Sequence, residues 1–426
     1  MDAYLGIDLG STTSKAVLVD DEGRVIGRGI TNTRSNYDVA ADVVRAEALI
    51  DARFGRLQRR LAGTLPPEAL EALRRGVGVA AALGRLDRLA ERCRALLADS
   101  APQQQASVGA IFDGMRRDAD EIFGPLALDR SRFFRDAAGS RFFASADEAA
   151  RGLTLDFEET AAAYDRGIVE TENSEKPPDF DALLEHALSG ARFDAVARAA
   201  VARAVTADAE PLEVVSMVGT GYGRQRLPFP KEQIQSEILC HGLGAHALFP
   251  NTRTVLDIGG QDTKAIQLDP DGLVTSFQMN DRCAAGCGRY LGYIADEMNV
   301  GVHELGPLAL RGTRAVKISS TCTVFAGVEL RELLSTGERR ENILLGLHRA
   351  IVLRAMSLLA RSGGVADEFT FTGGVAKNDA VVACLRQLVG SHYGERRLNI
   401  HPDSIYTGAL GAALFATRGR RLEVAA

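Results

Sequence analysis

The chain has 426 residues, a formal net charge of −6, 46% apolar residues and 25% charged residues. That supplies a large core and length for two or three domains, while the acidic balance argues against nucleic acid or an anionic membrane as partner. No apolar run approaches the roughly 20 residues of a membrane helix, and the start alternates like a strand without a signal peptide's basic region, so a soluble cytoplasmic protein is expected.

In chain order, residues 4–9 form a short apolar run that stops at Gly10-Ser11-Thr12-Thr13-Ser14. A second strand follows over 15–19, Asp21-Glu22-Gly23 makes the next turn, and a third strand covers 24–30. From 36 to 208 the pattern turns helical. Val43, Ala46, Ile50, Phe54, Leu57 and Leu61 recur at spacings of three and four, and Leu83, Leu86, Leu89, Cys93 and Leu97 do the same. Pro66-Pro67, Pro102 and Pro177-Pro178 punctuate this stretch. Ten of the 17 Phe fall within it, so it is read as a mainly helical insertion with a core of its own.

Strands return from Leu212. Strands are expected over 213–218, 254–258, 264–268, 316–319 and 368–372, and helices over 234–248, 283–298, 323–334, 343–359, from 379 onward, and over 406–417. The last helix carries Gly408, Gly411 and Ala412, small residues that allow close packing.

Two segments share one plan: Asp8-Leu9-Gly10-Ser11-Thr12-Thr13-Ser14-Lys15 and Asp257-Ile258-Gly259-Gly260-Gln261-Asp262-Thr263-Lys264. In each, a strand ends in Asp, then glycine and small polar residues turn the chain, and Lys opens the next strand. One such hairpin does not distinguish a clamp from a plain turn; the repeat fits two clamps on a polyphosphate. Glycine lets backbone N–H groups approach the phosphates, Asp holds Mg²⁺ through water, and Lys adds a point charge. A third element, Phe371-Thr372-Gly373-Gly374-Val375-Ala376-Lys377-Asn378, is a strand, a Gly-Gly turn and a helix start that can pass close to a flat ligand. P-loop and dinucleotide-binding glycine motifs are absent from the sequence.

The three elements in this order resemble the phosphate and adenosine loops of the actin-like ATPase superfamily. The resemblance implies an α/β, actin/hexokinase/Hsp70-like (ribonuclease H-like) two-lobe fold with ATP/ADP and Mg²⁺ in the cleft. Asp8 and Asp257 would be catalytic. Gly10, Ser11, Thr12, Thr13, Lys15, Gly259, Gly260, Gln261 and Asp262 would hold phosphates, and Gly373, Gly374, Lys377 and Asn378 would border adenosine. The lobes are assigned to 1–35 plus 209–250 and to 251–405, the insertion to 36–208, and 406–426 to a helix packing back on the first lobe.

Cysteines stand at 93, 240, 283, 287, 322 and 384. In an intracellular chain of this size, metal binding or packing explains them better than a disulfide framework. Asn280-Asp281-Arg282-Cys283-Ala284-Ala285-Gly286-Cys287-Gly288-Arg289 precedes an expected helix, and Ser319-Ser320-Thr321-Cys322-Thr323-Val324-Phe325-Ala326 leads into another. A helix N-terminus favours a thiolate there. These motifs resemble the activator ATPases of 2-hydroxyacyl-CoA dehydratases and the related subunits of ATP-dependent benzoyl-CoA reductases, the BadF/BadG/BcrA/BcrD/HgdC ATPase family. The resemblance implies a 4Fe–4S cluster shared with a second subunit, with Cys283 and Cys322 as this chain's ligands. Cys287 stands where that family more often has Thr and is read as a non-ligand. Cys93 and Cys384 are read as core, and Cys240-His241 as packing or hydrogen-bonding groups.

The insertion resembles that of the larger benzoyl-CoA reductase ATPase subunit. This implies partners in a smaller homologous ATPase subunit sharing the cluster, substrate-reducing iron–sulfur subunits, and ferredoxin. The alternatives are an activator of a 2-hydroxyacyl-CoA dehydratase with an added insertion, a small-molecule kinase, and a chaperone or filament ATPase.

Overall fold

The structure is a computed structural model that describes residues 1–33, 36–124, 133–152, 154–174, 177–189, 193–207, 211–221, 227–280, 287–318 and 323–425. The chain divides into two compact units, one of Met1 with Gly27–Leu212, the other of Asp2–Ile26 with Glu213–Ala426.

The second unit is built on a duplicated strand plan. Its first sheet runs β3-β2-β1-β4, from β1 (Asp2–Leu9), β2 (Thr13–Val19), β3 (Val25–Asn32) and β4 (Glu213–Gly221). β1 pairs antiparallel with β2, placing Asp8 opposite Lys15, and parallel with β4, placing Asp8 opposite Thr220. The second sheet runs β7-β6-β5-β8-β9, from β5 (Thr254–Ile258), β6 (Thr263–Leu268), β7 (Val274–Asn280), β8 (Glu368–Thr372) and β9 (Arg397–Asn399). Here β5 pairs antiparallel with β6, with Asp257 opposite Lys264, and parallel with β8, with Asp257 opposite Thr372. Directly opposed residues share a sheet face. Each sheet therefore sets one Asp between one Lys and one Thr at the end of its central strand.

β1 and β5 are buried along nearly their whole length, which explains their continuous apolar runs. The helix over Thr407–Ala425 crosses β1 through Gly6, where a Cβ would lie 2.0 Å from the Ala409 carbonyl oxygen. It meets the helix over Glu237–Leu248 through Gly411 and Gly244, where added Cβ atoms would strike the Cys240 and Thr407 carbonyls. These contacts account for the small residues of the closing helix. Beneath the second sheet, Phe369, Phe371, Leu385, Ile351, Leu344 and Tyr290 form one core. Its long helix, Arg340–Ser362, is apolar and long enough to span a membrane, but most of its apolar stretch is buried in this core.

The other unit is helical apart from the end of β3, comprising α1 (Tyr37–Leu61), α2 (Pro67–Leu96), α3 (Pro102–Arg117), α4 (Ala119–Phe123), α5 (Phe134–Arg151), α6 (Phe157–Asn173), α7 (Phe180–Ser189) and α8 (Ala195–Thr206). Pro67 and Pro102 occupy the first helical positions of α2 and α3, where a missing N–H costs nothing. α1 covers the edge of β3. The Glu47 and Asp51 carboxylates accept hydrogen bonds from the Ile30 and Arg28 N–H groups, 3.1 and 3.0 Å away. Two apolar clusters fill the unit, one around Phe112, Phe142 and Tyr164, the other around Phe54, Leu73, Phe180 and Leu184.

Some expected elements change. No strand forms over 316–318. Val316 N–H donates to the Asn342 carbonyl, and Gly346 admits the segment against Arg340–Ser362, so it packs on a helix instead of a sheet edge. The helix expected from 283 begins at Gly288, because Cys287 is its extended N-cap (φ −114°, ψ 177°). β7, β9 and a helix over Val302–Leu310 were not expected. β7 is an edge strand with exposed Phe277 and no continuous apolar run.

Candidate nucleotide site

The sharp turns after β1 and β5 meet tip to tip. A Cβ on Gly260 would fall 2.1 Å from Thr12 Oγ1, and one on Gly10 would fall 2.7 Å from the Thr13 carbonyl oxygen and 3.0 Å from Lys15 Nζ. Side chains are excluded at both glycines, leaving backbone as the lining. Ser11, Thr12 and Thr13 are half-buried in the first turn, and Gly259, Gly260 and Gln261 in the second.

Behind the turns lies a buried charge cluster. Asp8 Oδ2 lies 3.3 Å from Lys15 Nζ, and Asp8 Oδ1 has no hydrogen-bond partner among the described residues. Asp257 Oδ1 accepts from Thr372 Oγ1 at 2.8 Å, and its Oδ2 lies 3.5 Å from Lys264 Nζ. Lys264, 1% exposed, also pairs with Asp262 at 2.7 Å and with Glu237 at 3.0 Å. His241 Nδ1 stands 3.3 Å from Asp257 Oδ1, close enough for charge attraction but not aligned as a hydrogen bond.

The protonation states follow from this packing. Burial raises the Asp257 carboxyl, but the His241 and Lys264 charges outweigh it and hold it far below the usual carboxylate range. Burial lowers Lys264, and its three carboxylates more than offset that, holding it above its usual value. Burial likewise lowers His241, yet Asp257 leaves it above the ordinary histidine value. Glu237 is raised by burial, despite Lys264. With every carboxylate ionised and His241 neutral, Asp8, Glu237, Asp257 and Asp262 outnumber Lys15 and Lys264 by two charges, and the upward shifts of His241 and Glu237 narrow that excess. Uncompensated buried charge is expensive, and the orphaned Asp8 Oδ1 faces the same deficit. The carboxylates fit a hydrated cation, and the backbone-lined turns fit the polyphosphate that such a cation accompanies. Among the described residues no group of three or more His, Cys, Asp or Glu is arranged to hold a metal directly, which suits a water-coated Mg²⁺.

The third sequence element abuts the second turn. Gly373 has φ +86°, which disfavours any side chain, and its Cβ would lie 2.2 Å from the Ile258 carbonyl oxygen. Gly374 and Lys377 are exposed. Asn378 is structurally committed. Its Oδ1 accepts from the Ala380 and Val381 N–H groups, capping the helix Asp379–Tyr393, and its Nδ2 donates to His348 Nε2 at 3.0 Å. Asp262, expected at the phosphates, gives its carboxylate to Lys264.

Cys283 and Cys322 lie outside the described residues. The helix after the first cysteine motif is tied to the turn after β5, because the Gly288 and Arg289 N–H groups donate to the Gly259 and Gly260 carbonyls, each at 2.8 Å. Cys287 is buried, its Sγ 3.5 Å from Thr263 Oγ1. Cys93, Cys240 and Cys384 are buried free thiols. Glu237 and His241 escaped the sequence reading as site residues, whereas Lys264 was read there as the point charge of the second clamp. The available signal was the i,i+4 spacing of Glu237 and His241, which puts them on one helix face.

Paired sheets with one Asp-Lys turn each, a third glycine turn against them and a helical insertion define an ATPase of the actin/hexokinase/Hsp70-like class. The chain belongs to the BadF/BadG/BcrA/BcrD ATPase family, whose model matches residues 5–416. It is 44% identical over 199 residues to the (R)-2-hydroxyglutaryl-CoA dehydratase activating ATPase of Acidaminococcus fermentans, covering 47% of this chain and 74% of that one. It is 34% identical over 175 residues to a benzoyl-CoA reductase subunit of Thauera aromatica, covering 41% and 62%. Two solved structures share the fold. The A. fermentans (R)-2-hydroxyglutaryl-CoA dehydratase component aligns with TM-score 0.57 at 24% identity over 99% of this chain and 100% of that chain. The Clostridium difficile activator of 2-hydroxyisocaproyl-CoA dehydratase, with bound ADPNP, aligns with TM-score 0.53 at 22% identity over 99% and 97%.

Proposed function

We propose that this ATPase is an electron activator for a partner enzyme acting on acyl-CoA thioesters, of the kind that activates 2-hydroxyacyl-CoA dehydratases. The 44% identity to a dehydratase-activating ATPase is the observation that carries this reading. It moves ahead of the benzoyl-CoA reductase assignment that the insertion favoured in the sequence. That second reading keeps the support of the helical unit and of the 34% identity to a reductase subunit.

In this reading Asp8 and Asp257 organise a hydrated Mg²⁺, the two turns hold the phosphates, and the Gly373-Gly374 turn passes beneath the adenosine. Hydrolysis then needs positioning and charge neutralisation rather than a covalent nucleophile. The two sheets are the lobes, 36–208 is the insertion, and the closing helix belongs with the first sheet. Cys283 and Cys322 supply two thiolates, and since a cubane cluster takes four, a second subunit supplies the others. Such a cluster, when bound, passes on single electrons at low potential.

The test is anaerobic purification of the tagged chain from its native cells, with iron and sulfide analysis, identification of co-purifying chains, and ATP-dependent assays on 2-hydroxyacyl-CoA and benzoyl-CoA. Dehydration supports the first reading and ring reduction the second. Iron-free protein with neither activity sinks both. Cys283→Ser and Cys322→Ser should each abolish bound iron while leaving ADP affinity unchanged.

A further inference from the structure

One buried group in the cluster has no part in nucleotide binding as proposed. The helix Glu237–Leu248 presents Glu237 and His241, one turn apart and both buried, to the space between the two Asp-Lys turns. His241 faces both halves. Its Nδ1 stands 3.3 Å from Asp257 Oδ1. On its other side, a Cβ on Gly408 would lie 2.8 Å from His241 Nε2 and 3.2 Å from Asp8 Oδ2. Gly408, at the start of the closing helix, therefore lies between the imidazole and the first carboxylate, and the missing side chain leaves the space between them open. Glu237 Oε1 lies 3.9 Å from His241 Nε2 and 3.0 Å from Lys264 Nζ, so the same helix face also grips the lysine paired with Asp257. An apolar side chain at 241 would pack this helix without burying a polar ring among four charged groups, Asp8, Asp257, Glu237 and Lys264. The polar ring is explained if the two carboxylates must be held in register.

We propose that His241 is a positioning residue for ATP hydrolysis, standing between the Asp257 and Asp8 halves of the site, with the Glu237 charge beside its Nε2 edge. The inference rests on the reading of Asp8 and Asp257 as the pair that organises the metal.

The test uses the full chain with His241→Leu, which keeps bulk and loses polarity, and His241→Asn, whose amide nitrogen replaces Nδ1. Steady-state Mg²⁺-ATP hydrolysis, ADP affinity by calorimetry and thermal melting are measured for each. His241→Leu is expected to lower kcat about 30-fold or more, with KM and ADP affinity within about threefold, and His241→Asn to recover most of that loss. A kcat for His241→Leu within about threefold of the parent overturns the proposal. So do equal kcat losses in both variants matched by equal falls in Tm, which a purely structural role gives. Should His241→Leu not fold, Glu237→Gln decides: an unchanged kcat overturns the proposal, and a fall of about tenfold at constant KM supports it. Asp257→Ala separates the layers. If it still hydrolyses ATP, the site reading itself fails; if it is dead while His241→Leu is unimpaired, only the positioning role fails.

Discussion

Asp8 and Asp257 occupy equivalent registers, yet their surroundings differ. Asp257 has a hydroxyl donor, a lysine and an imidazole, whereas Asp8 keeps one oxygen without a partner among the described residues. Asp257 is thus the anchored carboxylate and Asp8 the one with free capacity. Asp8→Asn should lower Mg²⁺-dependent hydrolysis about 100-fold with little change in melting temperature. Asp257→Ala should lower both, since it leaves Lys264 and His241 short of a counter-charge, a loss of about 3 kcal/mol in urea denaturation. His348 gives a pH prediction. Burial holds its pKa below the ordinary 6.5, so below that pH the unfolded chain takes up a proton that the native chain refuses. Stability should therefore fall as pH drops through 6.5 toward the lower folded value. His348→Gln should flatten that part of the urea-denaturation profile, and an identical slope in the variant would refute the assignment.

At the scale of elements, the turns after β1 and β5 act as one surface because Gly260 and Thr12 touch. Gly260→Val would force them apart, and ADP affinity should fall more than tenfold while the far-UV spectrum stays the same; this is about 1.4 kcal/mol or more at the site. The helix Gly288–Met298 hangs from the second turn by two backbone hydrogen bonds, so a shift in that turn is transmitted to the start of this helix. Cys287 packs against Thr263 in this joint. Cys287→Ser should retain iron and ATP binding, and loss of iron would make it a ligand.

At the scale of the molecule, each unit has its own core, and the charge cluster lies entirely within the unit of Asp2–Ile26 and Glu213–Ala426. Phe142 stacks on Tyr164 with ring centroids 4.3 Å apart inside the helical unit. Phe142→Ala should cost that unit about 3–5 kcal/mol, read as an earlier first transition in calorimetry. Because Phe142 touches no phosphate turn, ADP affinity should be unchanged.

The sequence by itself determined the duplicated Asp-Gly-Lys turns, the strands that carry them and the helical character of 36–208. Each of these is local: residue spacing sets strand or helix, and glycine with short polar residues sets the turn. Edge elements such as β7 and β9 were illegible, because a strand buried on one side only, or three residues long, leaves no run to read. Only the tertiary structure decided which charges share the site. Lys264 follows from its register opposite Asp257, but Glu237 and His241 come from the helix preceding β5, placed there because glycines at 244, 408 and 411 let two helices approach at backbone distance. Likewise Asn378, suited in sequence to border a nucleotide, is claimed by a helix cap and by His348 once the chain is packed. A side chain's partners are set by what the fold brings within about 3 Å of it, and spacing along the chain carries no record of that.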